Sequence, residues 1–126
     1  MQDRRKLLEN YVQSHLQDVL KAPHDFIRYP FIDPGAGYQG NCWDWDTYWC
    51  VYSLFSLRDL FTREQNEAIL RHARGNVMNF LDHQLEDGYI PMMIEVSHWS
   101  EPYLNMRHKE GVQLNMHKPF LCNRLP

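Results

Sequence analysis

The 126-residue chain is 44% hydrophobic and 23% charged, which suits one folded domain with a modest core and excludes a disordered chain. Its formal net charge is -3, and its basic residues are scattered apart from Arg4–Lys6, which argues against a nucleic-acid partner. No apolar run reaches the length of a membrane span and the charged start Met1–Lys6 is not a leader, so a cytoplasmic protein without membrane association is expected.

In chain order, residues 1–22 form an N-terminal helical unit. Leu8, Val12, Leu16 and Val19/Leu20 recur at helical spacing, with Leu7, Tyr11 and His15 on the adjoining stripe, and Pro23 ends the helix. His15, at the edge of that stripe, reads as a packed structural histidine. Residues 23–42 read as loop, with turn chemistry at Tyr29-Pro30, Asp33-Pro34-Gly35, Gly37 and Gly40. Loops this long are disproportionately functional.

Residues 43–87 predict a helical hairpin. Trp43–Phe61 is apolar nearly all the way round until Arg58 and Asp59, so its helix is expected to be buried on most sides. Thr62 and Gln65 form a capping-box pattern opening a second helix that runs to about Leu85. Ile69, Ala73, Val77, Phe80/Leu81 and Leu85 face inward, with Arg71, Arg74, Asn79 and Asp82 on the polar side. Glu86-Asp87-Gly88 stops it. Residues 88–126 predict an irregular connection and, from Gln113 to Leu121, the start of another buried helix. The fold class expected from these elements is all-α, one single partial domain over residues 1–126.

Seven Tyr, six Phe and four Trp stand out in a chain this short. Trp45-Asp46 with Tyr48 and Trp49 is the leading constellation. A sugar presents apolar C–H faces and a rim of hydroxyls, so a site that holds one needs aromatic plates and carboxylates. The alternative is equally physical: an Asp at a helix start caps it and the rings are core. That alternative explains one of Asp44 and Asp46 better than both.

Asp44-x-Asp46 also fits the DxD pattern that holds a divalent ion in glycosyltransferases, although hard cations want several oxygen ligands and the surroundings here are aromatic and helical. No metal and no cofactor are expected. The seven histidines lack ligand spacing, and His72, His83, His98, His108 and His117 read as surface or loop residues. Cys42 and Cys50 stand about 12 Å apart in helical rise, too far to bridge, and reduced thiols are expected of them and of Cys122. No GxSxG or activated-cysteine signature occurs.

Three segments, PGAGYQGNCWDWDTYW (Pro34–Trp49), DGYIPMMIE (Asp87–Glu95) and NMHKPFL (Asn115–Leu121), come in an order that resembles the (α/α)6-barrel glycosidases, the group that includes trehalase, processing α-glucosidase I and mannosylglycerate hydrolase. The first is similar to that family's Pro-Gly loop and W-D-[ST]-x-[FW] motif, the second to its D-G-x-[IVL]-P stretch, the third to its N-x-x-K-P-P motif. Phe120 stands where the second proline of that motif would be. Gly37, Tyr38 and Gln39 stand where trehalases carry arginines, which leans the resemblance toward the other two enzymes.

The resemblance implies a partial (α/α)6 toroid of helical hairpins with long connecting loops. It implies that Trp45 and Asp46 grip a sugar in the −1 subsite, with Tyr38, Tyr48, Trp49, Glu95, Asn115 and Lys118 as further substrate-binding residues. It implies hydrolysis of α-linked glucose- or mannose-type sugars with inversion, in which an acid and a base stand about 6.5–9.5 Å apart. The family's acid, an Asp in a later S-G-x-D segment, and its distal Glu base have no counterpart here, so no catalytic residue is assigned and the chain alone is expected to be inactive. The implied partners are a carbohydrate substrate and either the remainder of the barrel or another copy of the chain. A non-catalytic helical interaction module is the alternative.

Overall fold

The computed structural model describes residues 3–35, 37, 40–94, 108–109 and 112–113, the last two segments by backbone alone. In chain order the elements are α1 (Arg4–Val19), β1 (Leu20–Lys21), β2 (Phe31–Ile32), β3 (Cys42–Trp43), α2 (Asp44–Ser56), a 3-10 turn (Arg58–Leu60), α3 (Arg63–Asp82), β4 (Met93–Ile94), β5 (His108–Lys109) and β6 (Val112–Gln113). The strands pair antiparallel as β1–β2, β3–β4 and β5–β6. The fold is therefore mixed, and the all-α expectation, with the partial toroid attached to it, is corrected. Segments expected as loop instead pair in short ladders, because backbone amides drawn into a core must find partners. Strands of two residues are too short to carry a readable alternation.

α1 opens with Asp3, whose carboxylate accepts the Arg5 amide at 3.0 Å. Only Leu16 is fully buried on it, while Leu7, Leu8 and Tyr11 stay exposed. Its second half alone meets the core, through Val12, Leu16 and Val19. His15 is exposed, stacked on Tyr11 with ring centroids 3.9 Å apart, so it is not packed inside as expected.

β1 and β2 are joined through a tight turn in which His24 and Ile27 exchange two backbone hydrogen bonds of 2.9 Å. Asp25 takes a left-handed φ of 49° there, which Asp tolerates better than most residues. β2 separates two clusters of buried side chains. Ile32 joins Leu16, Val51, Leu54, Phe61, Ile69 and Ala73 on one side. Phe31 joins Ile27, Cys42, Phe80, Ile90 and Ile94 on the other. The two-residue period of a strand sends these neighbours to opposite faces.

α3 keeps its expected start: Thr62 accepts from the Gln65 amide and Gln65 accepts from the Thr62 amide, closing the capping box. It ends at Asp82 rather than Leu85, and Leu81 and Leu85 are exposed. On the side expected to be polar, Arg71, Arg74 and Asp82 are exposed, but Asn79 is not. Asn79 is fully buried; its side chain accepts from the Tyr29 amide at 2.9 Å and donates to the Tyr29 carbonyl at 3.0 Å. Asn76, one turn earlier, accepts from the Ile32 amide at 2.8 Å and donates to the Ile32 carbonyl at 3.5 Å and to Cys42 Sγ at 3.2 Å. Two amide side chains thus stand in for a neighbouring strand. Between them and the helix start, Gly75 admits the chain so closely that a Cβ there would lie 1.8 Å from the Pro30 carbonyl oxygen.

His72, expected on the surface, is buried on α3; its Nδ1 lies 2.7 Å from the Ala68 carbonyl, and burial lowers its pKa. No helix among the described residues is long and apolar enough to cross a membrane. The helix expected from Gln113 is not seen at its first residue, which lies in β6; the remainder, through Leu121, lies outside the described residues.

Candidate functional site

The start of α2 is held from two directions. β3 pairs with β4, with Cys42 opposite Ile94 and Trp43 opposite Met93, and the Asp44 amide donates to the Met92 carbonyl at 3.0 Å. Two of the three segments singled out in the sequence, Pro34–Trp49 and Asp87–Glu95, are therefore brought side by side. The second reaches that position because Gly88, at φ 86°, and Asp87, whose Oδ1 accepts the Tyr89 amide at 3.0 Å, reverse the chain after α3.

From the other direction comes Asp33, which is buried. Its Oδ1 accepts the Gly35 amide at 2.9 Å and its Oδ2 the Gly40 amide at 3.1 Å. One carboxylate thus ties both ends of the glycine loop just before Asn41 and β3. In the sequence Asp33 is read only as part of the Asp33-Pro34-Gly35 turn; that Asp side chains in such turns bond to nearby amides was the available signal for this role.

The two acids at the helix start divide their tasks. Neither occupies the N-cap position, which is Trp43, and both lie in the first turn, where the helix dipole favours negative charge. Asp44 is buried and its Oδ1 accepts the Trp45 amide, a local role. Asp46 is half-buried. It lies one turn before Cys50, whose thiol is pushed up to about 11 by burial, with the charges of Asp46 and Asp33 adding to the shift. Cys50 is therefore a thiol rather than a nucleophilic thiolate at neutral pH. Both carboxylates act on it, so Asp33 and Asp46 converge near this part of α2.

The aromatic residues depart from expectation. α2 is not buried on most sides: Trp45 is 39% exposed, Trp49 46% and Tyr52 59%. α2 also stops at Ser56 and continues only as the short turn Arg58–Leu60. Its buried line is Asp44, Thr47, Val51 and Leu54, and Thr47 donates its hydroxyl to the Ile32 carbonyl at 3.2 Å. Trp49 is the hub of the opposite side. It meets Trp45 edge to face at 5.8 Å, Tyr48 at 5.0 Å and Tyr52 at 6.1 Å between ring centroids. Edge-to-face packing is a favourable arrangement of ring quadrupoles, and it holds the rings firmly while leaving ring surface in water. Tyr52 was missed in the sequence, although its spacing of three from Trp49 and seven from Trp45 places it on the same stripe.

Of the residues nominated from the sequence, Trp45, Asp46, Tyr48 and Trp49 thus lie together on the first two turns of α2. Tyr38, Glu95, Asn115 and Lys118 lie outside the described residues. Chemically the surface offers indole faces for apolar C–H groups and a half-buried carboxylate for hydroxyl protons. Among the described residues, no three His, Cys, Asp or Glu side chains are grouped to hold a metal ion. No protein-family model, no curated protein and no solved structure matches the chain.

Proposed function

We propose that the chain grips a pyranose of an α-linked glucose- or mannose-type sugar on the first turns of α2. In this reading it is the sugar-holding part of an inverting glycoside hydrolase whose acid and base it does not itself supply. The resemblance of its motifs to the glycosidases named above supports this, and so does the pairing of β3 with β4, which juxtaposes two of those motifs. Trp45 and Trp49 cover the sugar's apolar face, and Asp46 accepts its hydroxyl protons. Asp33 and Asp44 shape the approach without touching the ligand.

The observation that carries the reading is the exposure of two indoles beside a half-buried carboxylate at one helix start. Large rings left in water near an acid are better suited to a ligand with C–H faces and hydroxyls than to holding a helix together. In this reading the chain works in the cytoplasm, in keeping with the reduced thiols expected from the sequence.

The test is saturation-transfer NMR with methyl α-glucoside and methyl α-mannoside, with an apolar alcohol as control. Contact of either glycoside with the chain is expected, weakened at least tenfold by Asp46→Ala and by Trp49→Ala. Absence of contact, or contact indifferent to both substitutions, overturns the proposal. Hydrolysis of either glycoside by this chain alone is not expected.

A second reading, a non-catalytic interaction module, draws on α1, whose Leu7, Leu8 and Tyr11 are exposed. It predicts concentration-dependent association that Leu8→Glu abolishes and that added sugar leaves unchanged. The glycosyltransferase alternative has less support, because Asp44, one half of its DxD pair, is buried and accepts its neighbour's amide.

A further inference from the structure

The outer side of α3 carries a groove of about 530 Å³, open to solvent, between the helix and the Tyr29–Pro30 backbone. Its walls are Tyr29 and Pro30, and Leu70, Gly75 and Met78 line it on the helix. The groove follows from the close crossing at Gly75: the Pro30 carbonyl occupies the space of a side chain, so the chain rides on the helix and leaves a trough beside it. Met78 is 40% exposed there, and an unbranched thioether adapts its shape to what it meets.

Charge distinguishes this trough from an ordinary apolar crease. Arg71 and Arg74 line it three residues apart on α3, and both are exposed. The ion pairs among the described residues are Arg5–Glu9, His24–Asp25, Arg28–Asp82 and Arg63–Glu67, so among the described residues neither of these arginines has a carboxylate within 4.0 Å. Glu67, the acid lining the same groove, is held by Arg63 at 2.9 Å. Two exposed guanidinium groups, unpaired among the described residues, therefore flank an apolar trough on a chain whose net charge is -3.

We propose that this groove docks an acidic peptide segment of a partner protein, one that carries an apolar side chain flanked by carboxylates. The apolar side chain lies between Leu70, Met78 and the Pro30 ring, and the carboxylates take forked hydrogen bonds from Arg71 and Arg74. An open trough suits an extended segment better than a small molecule, which needs a cleft that encloses most of its surface. The proposal is independent of the sugar reading, because its residues belong to α3 and the Tyr29–Pro30 segment rather than to α2.

The experiment is selection of displayed random twelve-residue peptides on the intact chain, followed by fluorescence anisotropy with the enriched peptides. Enriched sequences are expected to combine an apolar residue with neighbouring Asp or Glu. Their affinity is expected to fall at least tenfold with Arg71→Ala/Arg74→Ala and several-fold with Met78→Ala. The double lysine variant, Arg71→Lys/Arg74→Lys, keeps the charge but loses the fork and is expected to fall in between. Unchanged thermal unfolding of the variants shows that the loss is local. Failure to enrich, enrichment of basic or uncharged peptides, or affinity indifferent to both arginines overturns the proposal. So does finding that these arginines serve an anionic vesicle, a DNA duplex or self-association and not a peptide.

Discussion

The seam between α3 and the 29–32 segment and the aromatic side of α2 invert the usual rule of polar outside and apolar inside. At the seam, Asn76 and Asn79 are buried and bonded to backbone on both their oxygen and nitrogen. On α2, Trp45, Trp49 and Tyr52 keep much of their surface in water. The first anomaly is explained within the fold, since a buried amide that replaces a strand stabilises more than it disturbs. The second is not accounted for by the ring contacts among the described residues, and the proposed sugar contact rests on it. Fold-holding contacts and the proposed sugar contact thus lie on different helices.

That separation can be broken most forcefully at Gly75. Gly75→Ala sets a Cβ against the Pro30 carbonyl, with no flexible side chain to give way. A loss of at least about 3 kcal/mol, or failure to fold, is expected in urea unfolding. An unchanged midpoint would mean that the chain does not ride on the helix at this crossing. A smaller effect, about 2–3 kcal/mol, is expected of Asn76→Leu, which leaves the buried Ile32 amide without its side-chain partner while Thr47 still bonds the Ile32 carbonyl. Trp49→Ala should cost less, about 1–2 kcal/mol, because the three edge-to-face contacts it loses are among partly exposed rings. If Trp49→Ala destabilised as much as Asn76→Leu, the aromatic side would be structural and the contrast would collapse.

The sequence announces the features whose chemistry is local. Thr62 and Gln65 declare the start of α3, and Asp87-Gly88 its reversal, because capping and turns depend on residues within one turn of each other. Trp45, Asp46, Tyr48 and Trp49 are legible as a group for the same reason. Whether rings on a helix that is apolar nearly all round face inward or outward is decided by what else packs there, and on that point the expectation of a buried α2 failed. The polar side assigned to α3 failed at Asn79. Asn79 looks like a solvated residue until Tyr29, fifty positions away, is brought against it. The strands were illegible because each is two residues long and its partner is remote, as with Cys42 and Ile94. Gly75 inside a helical pattern was the one local hint of the seam, since glycine weakens a helix interior and its presence there signals a close backbone approach.

Asp33 acts on more of the backbone than its own turn. A single side chain grips the amides of Gly35 and Gly40, so the direction in which the backbone enters β3 and α2 is set outside the stretch those two glycines bracket. Removing that grip, as in Asp33→Ala, is expected to loosen the entry into β3 and with it the aim of Trp45 and Asp46.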